Sequence, residues 1–259
     1  MSITSFSTTV PMPRRRVLGA YLEEARSECL RYMRAPAFML PIMLFPAMFY
    51  LLFGVLMAKS EGADAGRYLL ASYGVFGVMS PGLFGFGVSL ALERDGGLLT
   101  FKRALPMPPG AYLLGKMMMA MAAAGVVIVL LLAMAVLLGH VALGPGQAGA
   151  LLLTGMLGVL PFCALGMFVG TLFKGQGAPG MLQLIYLPMS FMSGLWFPLP
   201  MLPKFLQQIA PVWPSYHLDM IAMNAVGVQH VALLPHVAVL LGFAVVFLGL
   251  ATRRLRRFG

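Results

Sequence analysis

Long apolar stretches separated by short polar segments dominate this chain. Six stretches are long enough to cross a bilayer, because about 20 apolar residues in a helix span roughly 30 Å of hydrocarbon. Only the third contains a charged residue, Lys116, which lies near its start and which we count with the charges of the cytoplasmic face. We therefore expect the spans to supply no buried charge. The pattern predicts an all-α integral membrane protein with six transmembrane helices. The stretches cover residues 37–58, 68–92, 113–139, 149–173, 178–196 and 231–251.

The segment before the first stretch, residues 17–35, has the periodicity of an amphipathic helix. Its apolar residues recur three and four positions apart, as on one face of a helix. Such a helix lies in the membrane interface with its apolar face toward the lipid. The pattern suits both a simple anchor and a docking surface for a cytoplasmic partner. The apolar face consists of Leu18, Tyr21, Leu22, Ala25, Cys29, Tyr32 and Met33.

The other segments complete the expected organisation of the chain. Residues 1–16 form a flexible basic N-terminus, residues 37–251 the transmembrane domain, and residues 252–259 a basic cytoplasmic tail. Within the transmembrane domain we expect a cytoplasmic loop over residues 93–110 and an outer hairpin over residues 194–229.

Repeated prolines interrupt the predicted outer hairpin. We expect it to re-enter the outer leaflet as short helices, one of them running from Pro203 to Ala210. Trp196 and Trp213 suit the interface between membrane and water. Four further polar residues lie in or just beyond the hairpin, and their spacing matches no common zinc motif. We expect them to be polar interface groups: His217, Asp219, His230 and His236.

The basic residues are distributed unevenly across the predicted membrane. Of 18 Lys and Arg residues, only Lys59, Arg67 and Lys204 fall on one face, and the other fifteen fall on the opposite face. Cytoplasmic loops carry such an excess of basic residues, so both termini are expected in the cytoplasm. The net charge of +10 therefore reflects membrane topology, and it does not indicate a nucleic-acid groove.

The cytoplasmic loop reads LERDGGLLTFKRALPMPPGAYLLGK, with acids first and bases later. Glu93 and Asp95 precede Lys102 and Arg103, an order that the helix dipole favours. Prolines from Pro106 onward end the helix. We expect a short charged helix that makes a mechanical contact with another protein, and an ordinary solvated loop is the simpler alternative.

The loop resembles that of the permeases of type-2 ABC exporters. It fits the motif E-R-x-x-G-x-L-x-x-x-[KR]-x-x-P, and Leu114-Gly115-Lys116 leads into the next span as in that family. The later SGLWFPLPMLPKFLQQIAPVWPSYHLDMI resembles the family's outer hairpin, whereas Asp95-Gly96 departs from the expected, less flexible pair. The resemblance implies a multi-pass permease of a bacterial inner membrane that forms a homodimer and contacts a separately encoded ABC ATPase. It implies export of a hydrophobic or amphipathic, drug-like or lipid-like substrate.

Candidate site residues follow from these patterns. The resemblance implies that the ATPase-coupling residues are Glu93, Arg94, Gly97, Leu99, Lys102, Arg103 and Pro106. The partner-docking residues of the amphipathic helix would be Tyr21, Glu24, Glu28 and Arg31. Polar and aromatic residues of the fifth stretch and its outer end suggest a substrate path along Gln183, Tyr186, Ser190, Phe191 and Trp196.

The chain is expected to have no catalytic residues, metal site or bound cofactor of its own. Residues 110–117, GAYLLGKM, lack the hydroxyl after the lysine that a phosphate-binding loop needs, so ATP and Mg²⁺ are expected on the partner. All eight acids lie outside the apolar stretches, which argues against an ion-coupled secondary transporter. That alternative, a lipid-modifying enzyme, and a permease for polysaccharide or lipid-linked glycan stay open.

Overall fold

The computed structural model describes residues 14–57, 63–98, 101–102, 108 and 110–258 of the chain. All regular structure in those ranges is helical, so the predicted all-α class is confirmed. The helices are α1 Arg14–Met33, α2 Pro36–Phe49, α3 Ala63–Ser80, α4 Gly87–Asp95, α5 Ala111–Leu137, α6 Pro145–Gly158, α7 Leu160–Leu172, α8 Ala178–Met192, α9 Lys204–Ile209, α10 Pro214–Ala225 and α11 Leu233–Phe258.

Two segments of π-helix extend these elements. Tyr50–Met57 continues α2, and Pro81–Phe86 joins α3 to α4 in one continuous rod. The first follows Pro46 of α2, and the second begins at Pro81. A proline has no N–H to donate to the preceding turn, so the helix widens there.

Five segments of the described chain are long and apolar enough to cross a membrane, which supports a multi-pass membrane protein. They correspond to five of the six predicted stretches. The remaining stretch, the fifth, forms α8, whose 15 residues would measure about 22 Å at 1.5 Å per residue. The six-span count therefore stays a prediction. The five segments are Met39–Met57, Asp64–Asp95, Ala111–Leu137, Pro145–Leu172 and Leu233–Leu255.

The rod Asp64–Asp95 is the centre of the bundle. In its most apolar window 83% of the residues are buried, against 6% for the last span, Leu233–Leu255. α4 crosses α7 backbone to backbone: a Cβ on Gly87 would lie 2.6 Å from the carbonyl oxygen of Gly166. Small residues allow helices in lipid to approach this closely, so only glycine fits the crossing.

The observed boundaries differ from the predicted ones at both ends. α1 begins at Arg14, inside the segment expected to be flexible, and α11 runs to Phe258 through most of the expected tail. The predicted short helix of the hairpin is present as α9, and α10 follows it after a brief turn. The prediction that the first residues are flexible concerns residues 1–13, which lie outside the described ranges.

Candidate functional site

Six charged side chains meet where α1 packs against the end of α4 and the start of α5. α1 supplies three of them, α4 and α5 one each, and the loop between α4 and α5 the last. Three acids face three bases, so the group is electrically balanced. We call it the ion-pair cluster, and its members are Glu24, Glu28, Arg31, Glu93, Lys102 and Lys116.

Lys116 is the centre of the ion-pair cluster, and its side chain is fully buried. Its Nζ lies 2.8 Å from Oε1 of Glu93 and 3.1 Å from Oε2 of Glu28. The third hydrogen bond of the ammonium goes to Oγ of Ser89, at 2.9 Å. The hydroxyl of Tyr112 donates to the other oxygen of Glu93 at 2.7 Å. Every proton of the ammonium therefore has an acceptor, which a buried charge requires.

The other two bases close the cluster on its more exposed side. The guanidinium of Arg31 pairs with both Glu28 and Glu93, and so ties α1 to α4. Lys102 pairs with Glu24 and lies 3.0 Å from Oε1 of Glu28. Lys102 of the loop and Glu93 at the end of the central rod are therefore both bound to α1.

The electrostatic balance favours the ionised form of Glu28. Burial by itself raises the pKa of its carboxyl, but Lys116, Arg31 and Lys102 outweigh burial and hold the pKa below its ordinary value. Because the pKa is lowered, the stabilisation that ionised Glu28 gives to the packing of α1 is present at neutral pH. It is lost as the pH falls through the lowered pKa.

Local sequence explains why the elements meet here. Glu24 and Glu28 are four residues apart and lie on the same face of α1. That face packs against α5 at Gly115, where an added Cβ would lie 3.0 Å from Cγ of Glu24. Of the predicted apolar stripe, Leu18 and Leu22 are exposed, as suits a face toward lipid, whereas Ala25 is buried against α5.

Arg94 and Asp95, beside the ion-pair cluster, join the end of α4 to the end of α7 and the turn that follows it. The guanidinium of Arg94 donates to the carbonyl oxygens of Thr171 at 2.7 Å and Phe173 at 2.8 Å, at the end of α7. A cation is favoured at a helix C-terminus, where carbonyls lack helical partners. Asp95 accepts a 2.6 Å hydrogen bond from the backbone N–H of Gly175. Both residues therefore position the turn between α7 and α8.

The structure brings two predicted groups of residues together as one site. Glu24, Glu28 and Arg31 were assigned to docking, and Glu93 and Lys102 to coupling, yet all five contact one another directly or through Lys116.

The remaining assigned residues are placed differently. Arg94 is engaged with α7, and the hydroxyl of Tyr21 lies against Gly110. Gly97 has a φ of 73°, a left-handed conformation that suits glycine, where the chain leaves α4. Leu99, Arg103 and Pro106 lie outside the described residues.

Sequence reasoning missed three contributors to the cluster. Lys116 was counted as an ordinary cytoplasmic charge, and Ser89 and Tyr112 were not singled out. The expectation that the spans supply no buried charge is wrong, because Lys116 lies inside α5 and Glu93 inside the central rod. The available signal was a lysine within an apolar stretch, which is costly unless it has a partner.

The predicted substrate path includes both exposed and buried positions. Gln183 and Phe191 are exposed, whereas Tyr186 and Ser190 are buried. The Tyr186 hydroxyl accepts from Ser80 at 2.9 Å and donates to the carbonyl of Phe76 at 3.0 Å. These hydrogen bonds anchor α8 to the central rod.

Trp196 lies in an aromatic cluster at the end of α8. Its ring meets Phe49 edge-on with centroids 4.8 Å apart, and Phe76 with centroids 5.5 Å apart. Its Nε1 donates to Oγ of Ser190 at 3.2 Å. Trp196 thus packs α2, α3 and the end of α8 together, and it is only partly accessible.

An open groove of about 290 Å³ runs between α2, the central rod and α8. Its walls are mostly apolar, with hydroxyl and amide groups at a few points. Two of the predicted path residues, Gln183 and Tyr186, line it. The full lining is Pro41, Ile42, Phe45, Ser80, Phe84, Gln183 and Tyr186.

Among the described residues, no three His, Cys, Asp or Glu side chains converge as metal ligands. Two of the four polar residues of the outer segment contact each other: the Nδ1 atoms of His217 and His236 are 2.9 Å apart. The Nε2 atom of His217 lies 2.8 Å from the carbonyl oxygen of Pro211. These histidines join α10 to α11.

Comparison with known proteins gives two findings. The family model described as ABC-2 family transporter protein matches residues 55–253. A protein of Bacillus subtilis (strain 168) named "Putative transport permease YvfS" is 27% identical over 198 residues, which is 75% of this chain and 80% of that protein. The residues that the family model matches include the end of the π-helical segment after α2, all helices from α3 to α10, and most of α11.

Proposed function

This chain belongs to the ABC-2 family of transporter proteins, and we propose that it is the transmembrane subunit of an ATP-driven exporter. Members of this family are membrane permeases of ABC transporters and work with ABC ATPases. Our proposal adds that the partner is separately encoded, that two copies of this chain form the pathway, and that both termini face the cytoplasm of a bacterial cell. No catalytic role is assigned to the chain itself.

The observation that carries this proposal is the ion-pair cluster around Lys116. It binds α1, the loop residue Lys102 and the end of the central rod into one unit. A push on any of these elements would be transmitted to the others, because separating them would leave buried charges without partners. The central rod then carries the movement across the membrane, since Asp64–Asp95 is one helical segment of 32 residues.

The contact with the ATPase is proposed for the exposed part of the loop. Glu93 and Arg94 are engaged inside the subunit, so we assign them to positioning and not to direct contact. Phe101 is 61% exposed and follows the turn at Gly97. An exposed aromatic side chain of this kind is a suitable anchor for a pocket on a partner protein.

The substrate class follows from the groove beside α8. Its apolar walls with a few polar groups favour a hydrophobic or amphipathic molecule, drug-like or lipid-like. The groove is open on the side of α2 and α8, where Gln183 is exposed. A polar side chain is costly against lipid, so a second copy of the chain is the proposed cover for this face.

The proposal is tested by affinity purification of the chain from its native membrane, with and without Phe101→Ala. We expect an ABC ATPase to co-purify, and its recovery to fall at least tenfold in the variant. Phe205→Ala is the matched control, because Phe205 is also exposed, at 59%, but belongs to the outer hairpin. Failure to recover any ATPase under conditions that preserve complexes would overturn the proposed partner. Equal recovery with both variants would overturn the assigned contact surface alone.

A further inference from the structure

A second polar cluster lies at the opposite end of the central rod from the ion-pair cluster. We call it the outer polar cluster; it lies between α3, α10 and the end of α8. Ser193 and Ser215 hydrogen-bond to each other, and the hydroxyl of Tyr68 is 3.5 Å from the carbonyl oxygen of Gly194. Its members are Tyr68, Ser72, Ser193, Ser215 and Asp219.

Helical spacing brings these side chains face to face. Tyr68 and Ser72 are four residues apart on α3, and Ser215 and Asp219 are four residues apart on α10. Residues at this spacing share a helix face. Since α3 packs against α10, the carboxyl of Asp219 adjoins the hydroxyls of Tyr68 and Ser72.

Asp219 is the one acid of this cluster, and it is only 2% exposed. No ion pair among the described residues includes it. Its Oδ1 and the Oγ of Ser72 are both enclosed without a hydrogen-bond partner in the described part of the chain. A buried carboxylate without a counter-charge is costly, and such a group takes up a proton instead.

The other titratable groups around α10 do not supply a counter-charge. From α3, Tyr68 and Tyr73 are neutral phenols, Asp64 is an exposed acid, and Arg67 donates to the carbonyl of Ala142 at 2.6 Å. The segment α6 has no titratable side chain.

The remaining such groups on the outer side are Tyr216 and the histidines, whereas Arg254 of α11 lies at the other end and donates to the carbonyl of Thr171. His236 of α11 pairs with His217, which lies two residues from Asp219 and therefore on the other side of α10. No basic side chain of a described element packed against α10 thus pairs with the carboxyl of Asp219.

We propose that Asp219 is a proton-binding site that fastens α10 of the outer hairpin to α3 of the central rod. In the attached state the carboxyl carries the proton, so that no charge is buried beside the hydroxyls of Tyr68 and Ser72. When the proton leaves, a buried carboxylate without a counter-charge remains, and α10 moves away from α3 to expose it to water. The proposal concerns this chain alone and does not rest on the identity of its partner.

The direction of the pH dependence follows from the burial of the group. Burial raises the pKa of Asp219 to about 8, and the neighbouring Ser72 hydroxyl offsets part of this rise. With α10 detached, the carboxyl returns to its ordinary pKa of 3.8. Attachment is therefore strongest at acid pH, weakens by up to tenfold per pH unit as the pH rises to about 8, and then levels off.

The test is hydrogen–deuterium exchange of the α10 amides in the whole chain, reconstituted in lipid nanodiscs, from about pH 5 to about pH 9. Protection factors, which correct for the intrinsic pH dependence of exchange, are compared with those of α11. For the native chain we expect protection of α10 to fall with rising pH and to level off near the pKa of Asp219. Asp219→Asn mimics the protonated group, so its protection should be independent of pH.

One control variant accompanies this test, and two outcomes would overturn the proposal. Asp64→Asn removes an exposed acid from the same side and should leave the pH dependence intact. An unchanged pH dependence in Asp219→Asn would overturn the proposal. Protection restored at high pH by Na⁺ but not by K⁺ would assign the site to a metal cation and overturn the proton assignment.

If Asp219→Asn fails to fold, a second measurement on the native chain tests the proposal. Infrared spectra of the native chain at neutral pH should contain the carbonyl band of a protonated, buried carboxylic acid, which titrates away near the raised pKa. Absence of that band at neutral pH would overturn the proposal.

Discussion

At the scale of single residues, Lys116 decides how the cytoplasmic end of this subunit is built. Its ammonium is fully buried, and two carboxylates and a hydroxyl accept its three hydrogen bonds. A buried charge of this kind is stabilising only while its partners are present. The residue therefore fixes the position of α1 more than it adds net stability.

Replacing Lys116 with methionine should destabilise the subunit by about 3–5 kcal/mol, because two buried carboxylates lose a counter-charge. The midpoint of thermal unfolding of the purified chain measures this effect. Lys204→Met removes an exposed lysine of the outer hairpin and should leave the midpoint unchanged.

A double variant tests whether charge balance is the cause. Adding Glu93→Gln to Lys116→Met removes one of the unpaired acids, so part of the lost stability should return. If Lys116→Met unfolds at the same midpoint as the native chain, the ammonium does not hold the cluster together.

At the scale of elements, α1 has three distinct faces. Glu24 and Glu28 face α5, Leu18 and Leu22 are exposed and suited to lipid, and Glu23 is exposed on the charged side. The helix is thus held by charge on one face and by apolar burial on another. Of the two, the charged contacts determine its register against α5, since an ion pair has a fixed partner.

Glu24→Lys should release α1 from the bundle, because it adds a fourth base to the ion-pair cluster, directly beside Lys102. Amide exchange in α1 should then rise by at least tenfold. The reciprocal variant Glu24→Lys with Lys102→Glu restores opposite charges and should recover most of the protection.

Glu23→Lys is the matched control for this experiment, since Glu23 is exposed and, within the described part of the chain, pairs only with Arg26. We expect amide exchange in α1 to rise in Glu24→Lys and to stay at the native level in Glu23→Lys. Equal exchange in both variants would show that the acidic face does not dock α1.

The sequence was sufficient to predict most elements and insufficient to predict which of their faces are buried. Apolar length predicts a span because bilayer thickness sets it, and the five long helices follow that rule. The buried face of α1 depends on Lys102 and Lys116, which are more than seventy positions away in the chain. Asp219 was expected in a polar interface and is enclosed, because α3 covers it.

At the scale of the whole molecule, the open groove indicates where a second copy would pack. The exposed face of α8 carries Gln183, and the neighbouring α2 exposes Leu44 and Phe45. By contrast, α11 exposes only apolar and small residues along most of its length, which suits lipid. The two surfaces are chemically different, so they predict different neighbours.

Cysteine cross-linking distinguishes these surfaces. In a chain whose Cys29 and Cys163 are replaced by alanine, Gln183→Cys should give a disulfide-linked dimer in native membranes. Leu241→Cys, on the exposed face of α11, should stay monomeric under the same oxidation. Cross-linking through Leu241 and none through Gln183 would place the interface on the opposite side of the subunit.

The ion-pair cluster has a consequence for the order in which the chain is made. Glu24, Glu28 and Glu93 all precede Lys116 in the sequence, so the ribosome delivers the acids first. N-terminal parts of a protein generally fold before later parts are synthesised. When Lys116 reaches the membrane, its counter-ions have already been synthesised, and the one strongly unfavourable residue of the third span can be inserted next to them.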